Sequence, residues 1–295
     1  HVRFLRMTGA DVVFLCASDA HGSPIEIKAR ELGVTPEELV RDFRARHHAD
    51  LVKFGIGYDE FYTTHSEETR KHSYAIFEAA KGHGLVWDTT VASSAQRYSI
   101  THSPLVVKDK VIVGTAGGDM GIRGIVAAFD TKTGKEVWRF HTIPAPGEPG
   151  NESWSGNSWM TGGAGVWNAG AYDPETNLTF WGTGNPAPDW DGRQRLGDNL
   201  YSDSVVALDA DTGKLKWHYQ FAPHDELDYD STQVPVLADI TFRGRPRKVM
   251  LWANRNGVMY VLDRKTGEFL LGKPYVKVNW MDGFDHKGRP KRVPG

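Results

Sequence analysis

The side chains able to do chemistry in this chain are mostly oxygen donors. Among its 295 residues there is one cysteine, Cys16, which cannot form an internal disulfide and has no CxxC partner for zinc or dithiol redox work. His21 stands nearby in sequence, but two donors without a second pair cannot complete a metal shell. The run Gly117-Gly118-Asp-Met-Gly121-Ile-Arg-Gly124 looks like a dinucleotide loop. It follows a predicted strand yet leads into another strand, where a nucleotide loop must open a helix, so that chemistry is set aside. What remains is the acidic segment His224-Asp-Glu-Leu-Asp228-Tyr-Asp230. Read as a charge run alone, the same segment is a solvated acidic loop.

The stretches that must position these residues differ in character. All ten tryptophans lie between Trp87 and Trp280, whereas seven of the twelve histidines precede residue 85. The first stretch predicts helices around a short strand. Asp11 to Ala17 is an apolar, β-prone run; Thr35-Pro36-Glu37-Glu38 combines an N-cap, a proline at the first helical position and a capping-box glutamate. A further helix is expected after the Thr64 to Glu67 capping signal, with Tyr74, Phe77 and Ala80 on one face and stop signals at Gly82 and Gly84.

After residue 85 the period becomes two. Lys110 to Gly114, Gly124 to Phe129, Glu136 to Phe140, Ser204 to Leu208, Lys214 to Tyr219, Lys248 to Ala253 and Val258 to Leu262 read as strands. One turn recurs as Asp130-Thr-Lys-Thr-Gly134, Asp209-Ala-Asp-Thr-Gly213 and Asp263-Arg-Lys-Thr-Gly267. Its aspartate can bond turn N–H groups and its glycine can take the left-handed conformation of a bulged hairpin. Trp138 and Trp217 each follow their glycine by four residues, and Leu271 takes that place in the third copy. Repeated units with a tryptophan at a fixed offset indicate a β-propeller, with a β-sandwich as the alternative. The Gly/Pro/Ser/Asn-rich stretch from Ile143 to Gly165 explains most of the uneven repeat spacing, and such insertions are either functional or disordered.

The length allows two domains. A net charge of -2 and a pI near 6.7 give no broad electrostatic pull on free nucleic acid. No stretch is apolar for long enough to span a bilayer. The chain begins without methionine and reads as opening in mid-domain, so the lack of a signal peptide carries little information.

From Trp87 onward the sequence resembles the pyrroloquinoline-quinone (PQQ) dependent alcohol and methanol dehydrogenases, which are eight-bladed propellers. The match is carried by Ile100-Thr-His-Ser-Pro104, by VIVGTAGGDMGIRG from Val111 to Gly124, by YDPETNLTFWGTGNPAP from Tyr172 to Pro188, and by PHDELDYDSTQ from Pro223 to Gln233 with Asn254-Arg-Asn-Gly257 behind it. The resemblance implies PQQ and a calcium or lanthanide ion as cofactors, an alcohol as substrate and an acceptor such as a cytochrome. It places Trp167 under the flat quinone and Asp119, Asn185 and Asp228 on the metal. It makes Asp228 the catalytic base, brings Arg255 to the quinone oxygens and gives Thr101 a cofactor contact. Asp119 departs from the family, which normally has glutamate there. Asp230, two residues after Asp228, is implied as the extra ligand typical of lanthanide-dependent members.

Residues 1–84 resemble the catalytic domain of methionyl-tRNA synthetase. Val2-Arg-Phe-Leu-Arg-Met7, Phe14-Leu-Cys-Ala-Ser-Asp-Ala-His-Gly-Ser-Pro24, Ile25-Glu26, Gly33-Val-Thr-Pro-Glu37, Asp59 and Thr64-His-Ser-Glu67 carry the match. Asp19 falls at the position that holds the methionine amino group, and a polar turn explains it equally. The HIGH and KMSKS signatures that bind ATP are not in this chain. The expectation is therefore a chimera: residues 1–84 a small α/β Rossmann-like synthetase fragment, residues 85–295 a mostly β partial propeller with open edges prone to aggregate. Its parents occupy different compartments, the periplasm for the quinoprotein and the cytoplasm for the synthetase. Alcohol oxidation is the parent activity, expected to be lost in so partial a ring; methionine activation, with tRNA and ATP as partners, and a non-catalytic propeller scaffold are the alternatives.

Overall fold

The computed structural model describes residues 2–18, 23–63, 66–82, 84 and 86–293. The chain forms two compact units, residues 1–85 and 86–295.

The first unit runs α1 (Val2–Met7), β1 (Leu15–Ser18), α2 (Ser23–Leu32), α3 (Pro36–Lys53), β2 (Glu60–Thr63) and α4 (Glu67–Gly82). β1 and β2 pair in parallel, Leu15 opposite Glu60, joined by a crossover through α2 and α3. The capping box is formed: Thr35 Oγ1 accepts from Glu38 N at 3.2 Å, and Glu38 Oε2 accepts from Thr35 N at 2.9 Å. Two expectations shift. β1 begins four residues later than the apolar run, because Asp59 Oδ2 takes the Phe14 N–H at 2.6 Å before the ladder starts. The helix cap of α4 is Ser66, whose Oγ accepts from Thr69 N at 3.0 Å, while Thr64 lies outside the described residues. Among the described residues only Ala29, Leu39, Phe61 and Thr63 of this unit are buried, and Tyr74, Ile76 and Phe77 of α4 are exposed.

The second unit is three successive four-stranded antiparallel meanders. The first holds β3 (Leu105–Val107), β4 (Lys110–Gly114), β5 (Ile125–Asp130) and β6 (Glu136–His141). The second holds β7 (Ala171–Asp173), β8 (Leu178–Gly182), β9 (Ser204–Asp209) and β10 (Leu215–Gln220). The third holds β11 (Val236–Phe242), β12 (Arg245–Ala253), β13 (Val258–Asp263) and β14 (Phe269–Pro274), and a hairpin of β15 (Met281–Phe284) and β16 (Pro290–Arg292) follows. The period-two pattern fixes how the sheets stack: Val206 and Leu208 of β9 join the core with Ile112 and Val126, whereas Val205 and Ala207 join Met250 and Trp252. A middle sheet buried on both faces, with strands in sequential order, is the blade arrangement of a propeller and not a two-sheet sandwich.

The recurrent turn seals neighbouring blades. Asp130, Asp209 and Asp263 each accept backbone N–H bonds two and three residues on. Gly134, Gly213 and Gly267 have φ of 67°, 68° and 77°. A Cβ at each would lie 2.5 to 2.6 Å from a ring atom of Trp87, Trp138 or Trp217 respectively. Glycine is thus required for conformation and for room. Trp138 of the first meander covers the turn of the second, and Trp217 of the second covers the turn of the third. At the third blade the covering ring is Phe269, over Gly288 in the β15–β16 turn, rather than a residue at position 271. The stretch from Ile143 to Gly165 is ordered, with short 3-10 turns at Asn151–Ser153 and Ser158–Thr161 around a small core of Ile143, Trp154 and Ala164.

Candidate functional site

Loops at the ends of these blades converge on one group of polar side chains. The loop after β10 carries the acidic segment. Asp225 is buried, and its carboxylate accepts from Leu227 N at 3.1 Å and Tyr229 N at 2.9 Å, so it acts as a clamp inside the loop. The backbone takes the left-handed conformation at His224, Asp228 and Asp230, with φ of 50°, 57° and 47°. Non-glycine residues adopt it at a cost of about 1 to 3 kcal/mol each and persist there only when the surroundings impose it. The result aims Asp228 and Asp230 at Arg255 in the tight turn between β12 and β13: Asp228 Oδ2 lies 3.4 Å and Asp230 Oδ2 3.2 Å from the guanidinium. That turn is itself tied by Asn254, whose Oδ1 accepts from Asn256 N at 2.9 Å.

Asp230 is the hub. Its Oδ1 accepts from the backbone N–H of Asn185 at 3.2 Å and from Trp167 Nε1 at 3.4 Å. A Cβ on Gly184 would stand 2.7 Å from that oxygen, so the close approach requires glycine. Trp167 is partly exposed, and Thr101 Oγ1 donates to its carbonyl at 2.9 Å. Asn185 is buried; its Nδ2 donates to Asp189 Oδ1 at 2.6 Å. Thr101, Trp167, Asn185, Asp228, Asp230 and Arg255 therefore form one connected set. Asp119 sits in a short 3-10 turn at Gly118–Met120 and makes no direct bond to that set among the described residues, but its charge reaches Asp189, Asp228 and Asp230.

The electrostatics are those of an anionic site with too few cations. Burial pushes Asp230 up to about 6, helped by the Asp228 charge. Burial pushes Asp189 up to about 7, helped by Asp119, Asp228 and Asp230. Asp228 is raised by burial, opposed by Arg255. Beneath them the fully buried Asp203 accepts from Ser231 Oγ at 3.2 Å, and burial with the nearby Asp225 charge drives it far above the carboxylate range. Among the described residues no three His, Cys, Asp or Glu side chains stand close enough to hold a metal ion by themselves. The donor set instead combines carboxylates with an amide oxygen, and among the described residues Arg255 is the only basic side chain that pairs with Asp228 or Asp230. An oxygen-only, net-negative set fits a hard cation. The exposed Trp167 indole and the Arg255 N–H groups fit a flat anionic ring.

Asp189, Gly184 and Arg195 belong to this assembly without having been singled out in the sequence. Arg195 is fully buried and has no carboxylate partner among the described residues; it donates to the carbonyls of Pro188 at 3.0 Å, Asp189 at 3.1 Å and Asp225 at 2.5 Å. It therefore ties the Asn185 loop to the acidic loop. No local pattern marks such a brace, although the NPAP string beside it does mark the loop. Asp19 lies outside the described residues. No helix is long and apolar enough to cross a membrane among them.

Comparison with known proteins decides the family. The β-propeller domain described as glucose/ethanol/alcohol dehydrogenase, with PQQ, matches residues 82–279. The chain belongs to the PQQ dehydrogenase β-propeller family. It is 43% identical over 233 residues to the quinohemoprotein alcohol dehydrogenase ADH IIB of Pseudomonas putida, covering 73% of this chain and 33% of that one. It is 38% identical over 229 residues to the lanthanide-dependent methanol dehydrogenase of Methylacidiphilum fumariolicum, covering 71% and 37%. Among solved structures, a europium-containing methanol dehydrogenase superposes with a TM-score of 0.68 at 37% identity, covering 71% of this chain and 40% of that one. The chain thus spans about a third of the length of the PQQ dehydrogenases it matches. A second family, class I tRNA synthetases (M), matches residues 1–116, overlapping the propeller match over 82–116.

Proposed function

We propose that residues 85–295 derive from a PQQ- and metal-dependent dehydrogenase that oxidises an alcohol to an aldehyde and passes electrons to an acceptor such as a cytochrome. The observation that carries this reading is the connected set Trp167, Asn185, Asp228, Asp230 and Arg255. When bound, PQQ supplies a hydride acceptor and the cation polarises it. The chain's own part is positional and acid–base. Trp167 offers its indole face as a floor, held by Thr101 through its carbonyl. Asn185, Asp228 and Asp230, with Asp119, would present oxygens to calcium or a lanthanide. Asp228 would serve as the base for the hydroxyl proton, and Arg255, which bridges it to Asp230, would offer its remaining N–H groups to the quinone oxygens. Asp230, as an additional anion, favours a trivalent ion.

Residues 1–84 are, on this reading, a methionyl-tRNA synthetase-like fragment joined at 84/85, supported by the second family match. With neither ATP signature in the chain, methionine-dependent ATP exchange should be blank. Titration with PQQ in the presence of calcium or lanthanum tests the main reading. Tryptophan fluorescence should be quenched, and Asp230→Ala should weaken the cation-dependent part about tenfold. Quenching indifferent to both the cation and the substitution would contradict the proposal.

A further inference from the structure

Asn185 has a carboxamide whose two ends are chemically opposite, and its orientation decides whether it can serve a cation at all. Only the oxygen can ligate; the NH2 group would repel. The residue is 2% exposed, so its protein neighbours dominate the choice of orientation. Both of its N–H bonds go to acceptors, Asp189 Oδ1 at 2.6 Å and Pro186 O at 3.3 Å. Turning the amide over would press its oxygen against the Pro186 carbonyl and, wherever Asp189 is ionised, against a carboxylate. Asn185 Oδ1, by contrast, receives no hydrogen bond among the described residues. It is left free on the side away from Asp189, while the backbone N–H of the same residue holds Asp230.

Asp189 is in turn held in place. Its carbonyl and that of Pro188 accept from the buried Arg195, which also binds the carbonyl of Asp225 at the root of the acidic loop. One guanidinium therefore sets the spacing between the loop that carries Asn185 and the loop that carries Asp228 and Asp230.

We propose that Asp189 is a positioning residue for the cation site: it accepts from Asn185 Nδ2 and thereby commits Asn185 Oδ1 to the ion. This rests on the metal-dependent reading of the site. Asp189 works through its acceptor oxygen, so a neutral isostere that can still accept replaces it, whereas a residue with no acceptor does not.

The test is cation binding by the full chain, read as terbium luminescence sensitised by tryptophan, with calcium and lanthanum as competitors and no turnover required. Asp189→Ala should weaken terbium binding about 10- to 100-fold, the usual effect of losing a partner that orients a metal ligand. Asp189→Asn should stay within about threefold of the unsubstituted chain. Far-UV circular dichroism of each variant checks that the fold is kept. Unchanged binding in Asp189→Ala overturns the proposal, and so does an equal loss in both variants, which would make Asp189 a direct anionic ligand. If the unsubstituted chain binds no terbium, the metal reading itself falls, an outcome distinct from either of those.

Discussion

The two units spend their sequences differently. In residues 1–85 the recognisable features are local: a formed capping box at Thr35, and exposed ion pairs one helical turn apart at Lys28–Glu31, Asp42–Arg46, Asp50–Lys53 and Glu67–Arg70. Such exposed pairs contribute little to stability. Among the described residues the buried apolar side chains of this unit are those of Ala29, Leu39 and Phe61. In residues 86–295 the contacts are long-range. Tryptophans close over glycines of the next blade, and Arg264 reaches the buried Asp173 at 3.0 Å across 91 residues of sequence. The contrast teaches that helix caps and one-turn ion pairs act within a single element, whereas a few stacked blades carry their core with them because each is sealed by its neighbour.

Equivalent glycines in the two units should sharpen that contrast most. Gly213 and Gly33 share a left-handed backbone, φ 68° and 67°, but a Cβ at Gly213 meets Trp138 at 2.5 Å, whereas at Gly33 nothing lies within 4 Å. Gly213→Ala should cost on the order of 4 kcal/mol, the sum of backbone strain and overpacking. Gly33→Ala should cost about 1 kcal/mol. Urea unfolding checks both, followed by near-ultraviolet circular dichroism for the tryptophans of the larger unit and by far-ultraviolet circular dichroism for the helices of the smaller; equal small effects would break the account of blade sealing.

A smaller effect concerns acid stability, and it should belong to the larger unit. His141 at the end of β6 is held down to about 4 by burial and by the charges of Arg123 and Arg139, against Glu148 and Glu136, and its Nδ1 is buried with no hydrogen-bond partner among the described residues. The unfolded chain takes this proton first as the pH falls. The contribution is thus fully present above about pH 6.5 and is lost between there and about pH 4. Allowing for partial exposure, it amounts to on the order of 1 to 2 kcal/mol. His141→Gln should flatten the stability profile in that window, and an unaltered slope would show that other groups set it.

The parts of this molecule legible in the sequence are those whose signal is local. The strands β4, β5, β6, β9, β10, β12 and β13 show a two-residue period long enough to read, and the Asp-x-x-Thr-Gly turns carry their own chemistry. β3 and β7 have three residues each and β14 contains glycine and proline, so they give no periodic signal. In the first unit β2 is four residues long and forms because a parallel partner is available. Resemblance named Trp167, Asn185, Asp228 and Arg255, whereas the roles of Gly184, Asp189 and Arg195 depend on contacts with the acidic loop or between loops. Position 271 shows the limit of an offset rule: the ring that covers the next turn is Phe269, two residues earlier.

Hydrogen exchange with and without PQQ and lanthanum tests the central claim most directly, because it locates binding in both units at once. The account predicts added protection in peptides spanning residues 165–167, 183–189, 225–231 and 254–257, with none in residues 2–82, whose amides should also exchange faster at rest. No added protection in those loops, or protection gained in the first unit instead, would contradict it.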